Sequence, residues 1–168
     1  MSIKAEIRSR IHEGRLAVFT QAIRRLPDRR ELYVAPEIKN AIDAMVDPRF
    51  GRARALLETF VRGEEIVARW PPDKNVTAMM ALLEPGRENV WEFRICQPPR
   101  GLRLFGRFAE RDIFIGTHCY KREDLPKGNK WPHQIKLCRH AWSSLFPAHP
   151  PLSGSSIHDF LGNARLPP

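Results

Sequence analysis

The 168-residue chain has no apolar run near the ~20 residues a bilayer span requires, because Arg, Glu or Pro interrupts every hydrophobic stretch. Its first residues, Met1-Ser2-Ile3-Lys4-Ala5-Glu6-Ile7-Arg8, alternate charge with apolar side chains and lack the continuous apolar block of a secretory signal. The expected location is the cytoplasm, without membrane partners. Cysteine is scarce: Cys96, Cys119 and Cys138 are odd in number and share no recurring spacing, which argues for reduced thiols over a disulfide framework. Neither a G-x-x-x-x-G-K-S/T phosphate loop nor a G-x-S-x-G nucleophile elbow occurs, which argues against P-loop nucleotide hydrolysis and serine-ester chemistry. Cys119, Cys138, His118, His133 and His140 match no zinc-ligand spacing, so neither metal nor other cofactor is expected.

What the chain does have is positive charge in one place. Residues 1–93 hold 16 Lys and Arg against 14 Asp and Glu, residues 94–140 hold 11 against 4, and residues 141–168 hold one of each. Most of the net +9 therefore lies in 47 residues. A solvated surface that aids solubility would show this excess; so would a patch that concentrates polyanions and supplies salt-dependent affinity for nucleic acid.

Hydrophobic periodicity predicts an α+β fold. Ile3, Ile7, Ile11, Val18, Phe19, Ala22, Ile23 and Leu26 recur at threes and fours, predicting an amphipathic helix with a break near Gly14. Glu31 to Ala35 reads as a strand, and Pro36 opens a helix that stops at Asp47-Pro48. A further helix from Gly51 to Arg62 ends at Gly63, where a left-handed cap is expected. Residues 64–89 give no clear period.

From Val90 the period becomes two, predicting three strands over Val90–Ile95, Leu102–Phe108 and Ile113–Tyr120 joined as an antiparallel meander. A last helix starts near Pro132 and ends at Pro147. The expected organisation is an N-terminal helical extension over 1–28, an α+β core with its C-terminal helix over 29–147, and a loosely ordered tail over 148–168.

Alternation places Arg103, Phe105 and Arg107 on one face of the middle strand. Arg94 on the strand before, and His118, Tyr120, Lys121 and Arg122 at the end of the strand after, are candidates to join them. Guanidinium forks suit phosphate oxygens, and Tyr or His can move protons. Surface ion pairs with Glu92, Glu110 and Asp112 are the structural alternative for these arginines. Lys127 and Lys130 extend the basic stretch. Among the tryptophans, Trp142 falls on the apolar helix face as a core residue would, whereas Trp131 beside Lys130 is the candidate for stacking on a base.

These residues carry a resemblance. Val90-Trp91-Glu92-Phe93-Arg94, Gly101-Leu102-Arg103-Leu104-Phe105 and Ile113-Phe114-Ile115-Gly116-Thr117-His118-Cys119-Tyr120-Lys121-Arg122 resemble the sheet of the RelE/HigB-like toxins of bacterial toxin–antitoxin pairs, including the Gp49-like branch. The resemblance spans residues 31–122. It implies a small antiparallel meander packed on helices, an antitoxin partner, and an endoribonuclease acting on messenger RNA, usually at the ribosome, without a cofactor. It further implies that Arg103 is the middle-strand arginine, Arg94 the arginine of the first meander strand, and Lys121 and Arg122 the basic pair after the last. Catalytic roles would then fall to Arg103, His118, Tyr120, Lys121 and Arg122, and nucleic-acid contacts to Arg94, Arg107, Lys127, Lys130 and Trp131. Two features depart from the family: Glu92 stands where ribosome-dependent members carry a basic residue, and the K-K-x-x-x-T-P continuation is missing after Tyr120. A non-catalytic nucleic-acid-binding module, or an interaction protein docking through its N-terminal helix, would use the same sequence differently.

Overall fold

The computed structural model describes residues 1–23, 26–45, 47–70, 77–96, 101–127 and 131–168. The elements run α1 (Ile3–His12), β1 (Ala17–Val18), β2 (Glu31–Val34), α2 (Pro36–Ala44), α3 (Pro48–Val61), β3 (Ile66–Arg69), β4 (Met80–Leu82), β5 (Trp91–Ile95), β6 (Leu102–Glu110), β7 (Ile113–Lys121), α4 (Pro132–Leu145), α5 (Ile157–Phe160) and β8 (Ala164–Arg165). The fold is α+β. No helix among the described residues is long and apolar enough to cross a membrane.

Local chemistry sets the helix ends. Ser2 accepts a hydrogen bond from the Ala5 amide at the start of α1, and Gly14, at φ +69°, turns the chain soon after His12. The helix expected to reach Leu26 therefore stops two residues before that glycine. Asp47 accepts from the Arg49 amide at 2.9 Å and caps α3, whose end passes into Gly63 at φ +73°.

The strands form one sheet in the order β1-β2-β7-β6-β5-β4-β3-β8. β5, β6 and β7 pair antiparallel in sequence, but the expectation of a small antiparallel sheet is corrected: the sheet has eight strands and is mixed. β2 runs parallel to β7, and β3 runs parallel to both β4 and β8. Parallel pairing needs a long crossover, and α2 and α3 lie in the connection that leaves β2.

Both faces of the sheet are covered. Leu57, Phe60, Phe93, Leu104, Phe108 and Phe114 build the main core beneath α2, α3 and α5. On the other face Ile7, Ile113, Ile115, Trp142 and Phe146 pack under α1 and α4, and Phe105, Trp131, Ile135 and Cys138 pack farther along α4. Central strands roofed on both sides are buried along nearly their whole length, as β6 is from Leu102 to Ala109, rather than half exposed.

Two of the expected boundaries change. Ile7 is buried in the α4-side core, so α1 is part of the domain and not an extension. The tail is ordered: Ile157, Phe160 and Leu161 are buried in the main core, and β8 adds the last strand. Arg30 fastens this end, with its Nε 3.0 Å from Asp112 Oδ1 and its other nitrogens donating to the carbonyls of Phe60, Glu64 and Asn163.

Candidate functional site

Arg94 stands opposite Arg103, and Arg103 opposite Tyr120, so the three form one row across β5, β6 and β7. The adjacent row runs Arg69, Ala81, Glu92, Phe105 and His118 across five strands. Directly paired residues share a face, and Phe105 belongs to the cluster under α4, so all these side chains lie on the α4 side.

A bulge makes this possible. Ile113 and Ile115 point towards α1 and α4, and simple alternation would then send His118 and Tyr120 to the opposite face. Between the Phe105–His118 and Gly106–Gly116 pairs, Thr117 is an extra residue on β7. That insertion shifts the parity and returns His118 and Tyr120 to the arginine face.

Glu92 is at the centre, 1% exposed. Its Oε1 lies 3.6 Å from Arg94 Nε and its Oε2 3.3 Å from Arg103 Nε. Neither Glu92 Oε2 nor Arg103 Nε makes an aligned hydrogen bond, so this is a charge contact. Burial pushes the Glu92 carboxyl up to about 7, against the opposing pull of Arg103, Arg94, Arg69 and Arg122. Arg103 also donates through Nη1 to the Leu102 carbonyl at 3.0 Å. Arg122 reaches back over the Trp131 ring, 5.8 Å from its centroid, and donates to the Pro126 carbonyl at 3.2 Å.

At the β7 end, His118 and Tyr120 are partly exposed and stack with centroids 6.4 Å apart. His118 Nδ1 is 3.0 Å from Thr117 Oγ1, and that oxygen is 3.3 Å from Cys138 Sγ. Burial lowers the His118 pKa below 6.5, with Glu37 opposing, and raises that of Tyr120 above 10. Burial also takes the Cys138 thiol up to about 11, which leaves it protonated and inert at neutral pH. His118 borders a cleft of about 440 Å³ shared with Arg15, Glu37, His140 and Ser144. A cleft of about 930 Å³ lies elsewhere, between α4 and the turn at Glu84–Glu88.

The expected site residues separate into two groups. Arg94, Arg103 and Arg122 come together around Glu92, with Arg103 buried; Tyr120 stands opposite Arg103, and His118 shares their face opposite Phe105, with Glu37 and His133 the charges that bear on it. Lys121 does not: it pairs with Leu102, whose side chain belongs to the main core, and it lines a cleft with Glu37, Ile38 and Phe50 on the other side of the sheet. Arg107 shares the Arg103 face but is buried farther along β6, donating to the Glu88 carbonyl at 2.7 Å. Trp131 is 2% exposed and meets Phe105 edge-on at 5.3 Å, which leaves no face for a base and corrects the stacking expectation. Lys127 is exposed on the loop after β7, and Lys130 lies outside the described residues.

Arg69 and the central place of Glu92 were missed from sequence. Ile66-Val67-Ala68-Arg69 is short and apolar, with no period to mark Arg69 as inward-facing. Trp91-Glu92-Phe93-Arg94 does alternate, which sets Glu92 and Arg94 on one face, but Glu92 was expected only as a surface ion-pair partner and the pattern does not show that it is buried. No family model, no curated protein and no solved structure matches the chain.

Proposed function

We propose that the protein binds RNA by its phosphates on the α4 side of the sheet where Arg94 and Arg122 remain partly exposed, as a RelE-like toxin or a derivative of one. The observation that carries this reading is the Arg94–Arg103–Tyr120 row, with Arg122 at its end and Glu92 the one carboxylate paired to it among the described residues. Phosphate oxygens take guanidinium forks, and a row across three strands matches the extended backbone of a single strand. Within the order β2, α2, α3, β3, β4 and β5–β7, the antiparallel run β5–β7 supports the same reading.

A labelled single-stranded oligoribonucleotide titrated with the full-length protein at several salt concentrations tests it. Affinity should fall steeply with salt, and Arg122→Met should reduce the slope by about 1. Absence of binding at low salt overturns the reading.

His118 and Tyr120 favour a second step, cleavage. A histidine held below 6.5 is neutral at physiological pH and can take the proton of a ribose 2′-hydroxyl as that oxygen attacks the phosphorus. A phenol held above 10 is protonated and can give its proton to the departing 5′-oxygen. Arg94 and Arg122, the partly exposed arginines of the site, then face the charge that develops on the phosphoryl oxygens. This step predicts growth arrest on induction. Tyr120→Phe should abolish cleavage and spare binding; intact RNA after incubation with active-folded protein would limit the function to binding.

A further inference from the structure

Arg107, buried farther along β6 than the arginine row, holds one wall of a cleft. Its Nη2 donates to the Glu88 carbonyl at 2.7 Å, and the Leu83 amide donates to the Val90 carbonyl at 2.9 Å. The turn between β4 and β5 is thereby closed at its base and tied to the sheet. The facing wall is α4, from which Arg139 Nε reaches across to Glu88 Oε2 at 3.2 Å. Between the walls lies the cleft of about 930 Å³, within the roughly 300–1,000 Å³ of small-molecule sites. Both walls are anchored by the protein's own bonds, so the cleft is formed without a ligand.

α4 lines it with one face. Pro132, Ile135, Lys136, Arg139, His140 and Ser143 recur at three and four residues and run about 16 Å along the helix. Ile135 is the floor, 6% exposed and part of the cluster around Phe105 and Trp131. Pro132 from the helix and Pro85 from the turn widen this apolar surface. Above it stand polar groups in two conditions. Arg139 and Glu88 answer each other, whereas Lys136, His140 and Glu84 make no hydrogen bond or ion pair among the described residues.

A ligand that suits this lining has a flat apolar body for Ile135 and the prolines, an anion for Lys136 and His140, and N–H donors for Glu84. A nucleotide has all three: the face of its base, its phosphate, and the N–H groups on the base edge. Inorganic phosphate would leave the apolar floor uncovered, and an aliphatic acid would set no donor against Glu84.

We propose that the cleft between α4 and the Glu84–Glu88 turn binds one nucleoside monophosphate unit, its base over Ile135 and the two prolines and its phosphate at Lys136 and His140. The unit is either a free nucleotide or one residue of an RNA strand. His140 also borders the cleft beside His118, so a strand crossing α4 there passes from one cleft to the other. This second source rests on the RNA-binding reading; the cleft and its chemistry do not.

The test titrates adenosine 5′-monophosphate, adenosine and inorganic phosphate into the full-length chain by calorimetry at constant salt. The nucleotide should bind about tenfold or more tightly than either fragment, since only it meets the floor and the cation together. Lys136→Met should weaken it by about tenfold, the loss of one hydrogen bond to a charged group. Ser143→Trp, which fills the cleft from an exposed position on α4, should abolish binding. Lys4→Met removes the same charge from the exposed side of α1 and should leave the affinity unchanged. A nucleotide bound no more tightly than inorganic phosphate, wild-type affinity in Lys136→Met or Ser143→Trp, or an equal loss in Lys4→Met overturns the proposal.

A labelled oligoribonucleotide titrated into the same chains separates the two sources. Weaker binding by Lys136→Met and Ser143→Trp puts a strand residue in the cleft; unchanged binding leaves the free nucleotide as its ligand. Nucleotide binding without oligonucleotide binding keeps the cleft and removes the RNA reading. Oligonucleotide binding without nucleotide binding keeps the RNA reading and removes the cleft.

Discussion

Gly106 faces Gly116 across the β6–β7 ladder, immediately beside the point where Thr117 bulges out of register. The pair of glycines lets the two strands close there. A Cβ on Gly106 would lie 2.1 Å from the Ile115 carbonyl oxygen and 2.7 Å from the Phe114 ring, contacts that only a backbone shift could relieve. The bulge next to it decides which face His118 and Tyr120 occupy, so fold and candidate site meet at this pair.

Gly106→Ala should therefore cost about 1–3 kcal/mol in urea denaturation, the usual range for overpacking. It should also weaken oligonucleotide binding more than the stability loss explains, because parting the strands displaces His118 and Tyr120 from the arginines. Unchanged stability would show that the ladder yields at this point without strain.

Glu92 gives the protein a pH-dependent stability of unusual sign. Its folded carboxyl titrates near 7 against 4.5 in the unfolded chain, so between those values the folded state holds the extra proton. Stability from this group is present below about 4.5 and declines as pH rises to about 7, by on the order of 3 kcal/mol. His118, whose folded pKa is lowered, works in the opposite direction below 6.5, so the difference between two chains isolates Glu92. Urea melts of wild type and Glu92→Gln should diverge through that window in favour of Glu92→Gln and run parallel at higher pH. Parallel curves throughout would mean that the arginines keep Glu92 ionised.

The sequence made the arginine face legible because period-two alternation is a local property: Glu92, Arg94, Arg103 and Arg107 could all be placed by counting. It could not show convergence. Lys121 reads as the neighbour of Tyr120 and Arg122, but pleating sends it to the main core side, and Arg107 shares a face with Arg103 without sharing its surroundings. The bulge at Thr117 has no sequence period at all, since it is defined by the strand opposite. Helix starts at Pro36 and stops near Gly63 were readable from capping chemistry. The parallel strands β3 and β4 were not, because short strands buried on both faces show no alternation, and two-residue β8 is too short to show any period.

Arg30 should be among the most costly charged residues to remove. Its side chain is 2% exposed, pairs with Asp112, donates to three carbonyl oxygens and lies over the Phe60 ring at 5.2 Å. Arg30→Met keeps much of the apolar stem but leaves those acceptors without their donor, at a cost of about 3–5 kcal/mol. Asp112→Asn, on the more exposed partner, should cost less. Chemical denaturation of the two variants orders them; a smaller effect for Arg30→Met would mean that water replaces the guanidinium.

The C-terminal segment supplies the remaining test, because its composition reads as loose while its contacts read as core. Proline and serine between residues 147 and 156 weaken any regular pattern, and the four-residue helix that follows is too short to announce itself by periodicity. Its stability comes from the buried Ile157, Phe160 and Leu161 side chains and from a cap. Ser156 and Asp159 close a capping box, which aims Phe160 into the space among Trp91, Trp70 and Phe108, at centroid distances of 5.0, 5.4 and 5.6 Å. Those rings are partly roofed by Phe160. Phe160→Ala should then cost about 3–5 kcal/mol, the range for emptying an aromatic site in a packed core. Tryptophan emission should shift to the red on the same substitution as water reaches Trp70 and Trp91. A Phe160→Ala chain with wild-type stability and unshifted emission would return this segment to the loose tail that its composition suggests.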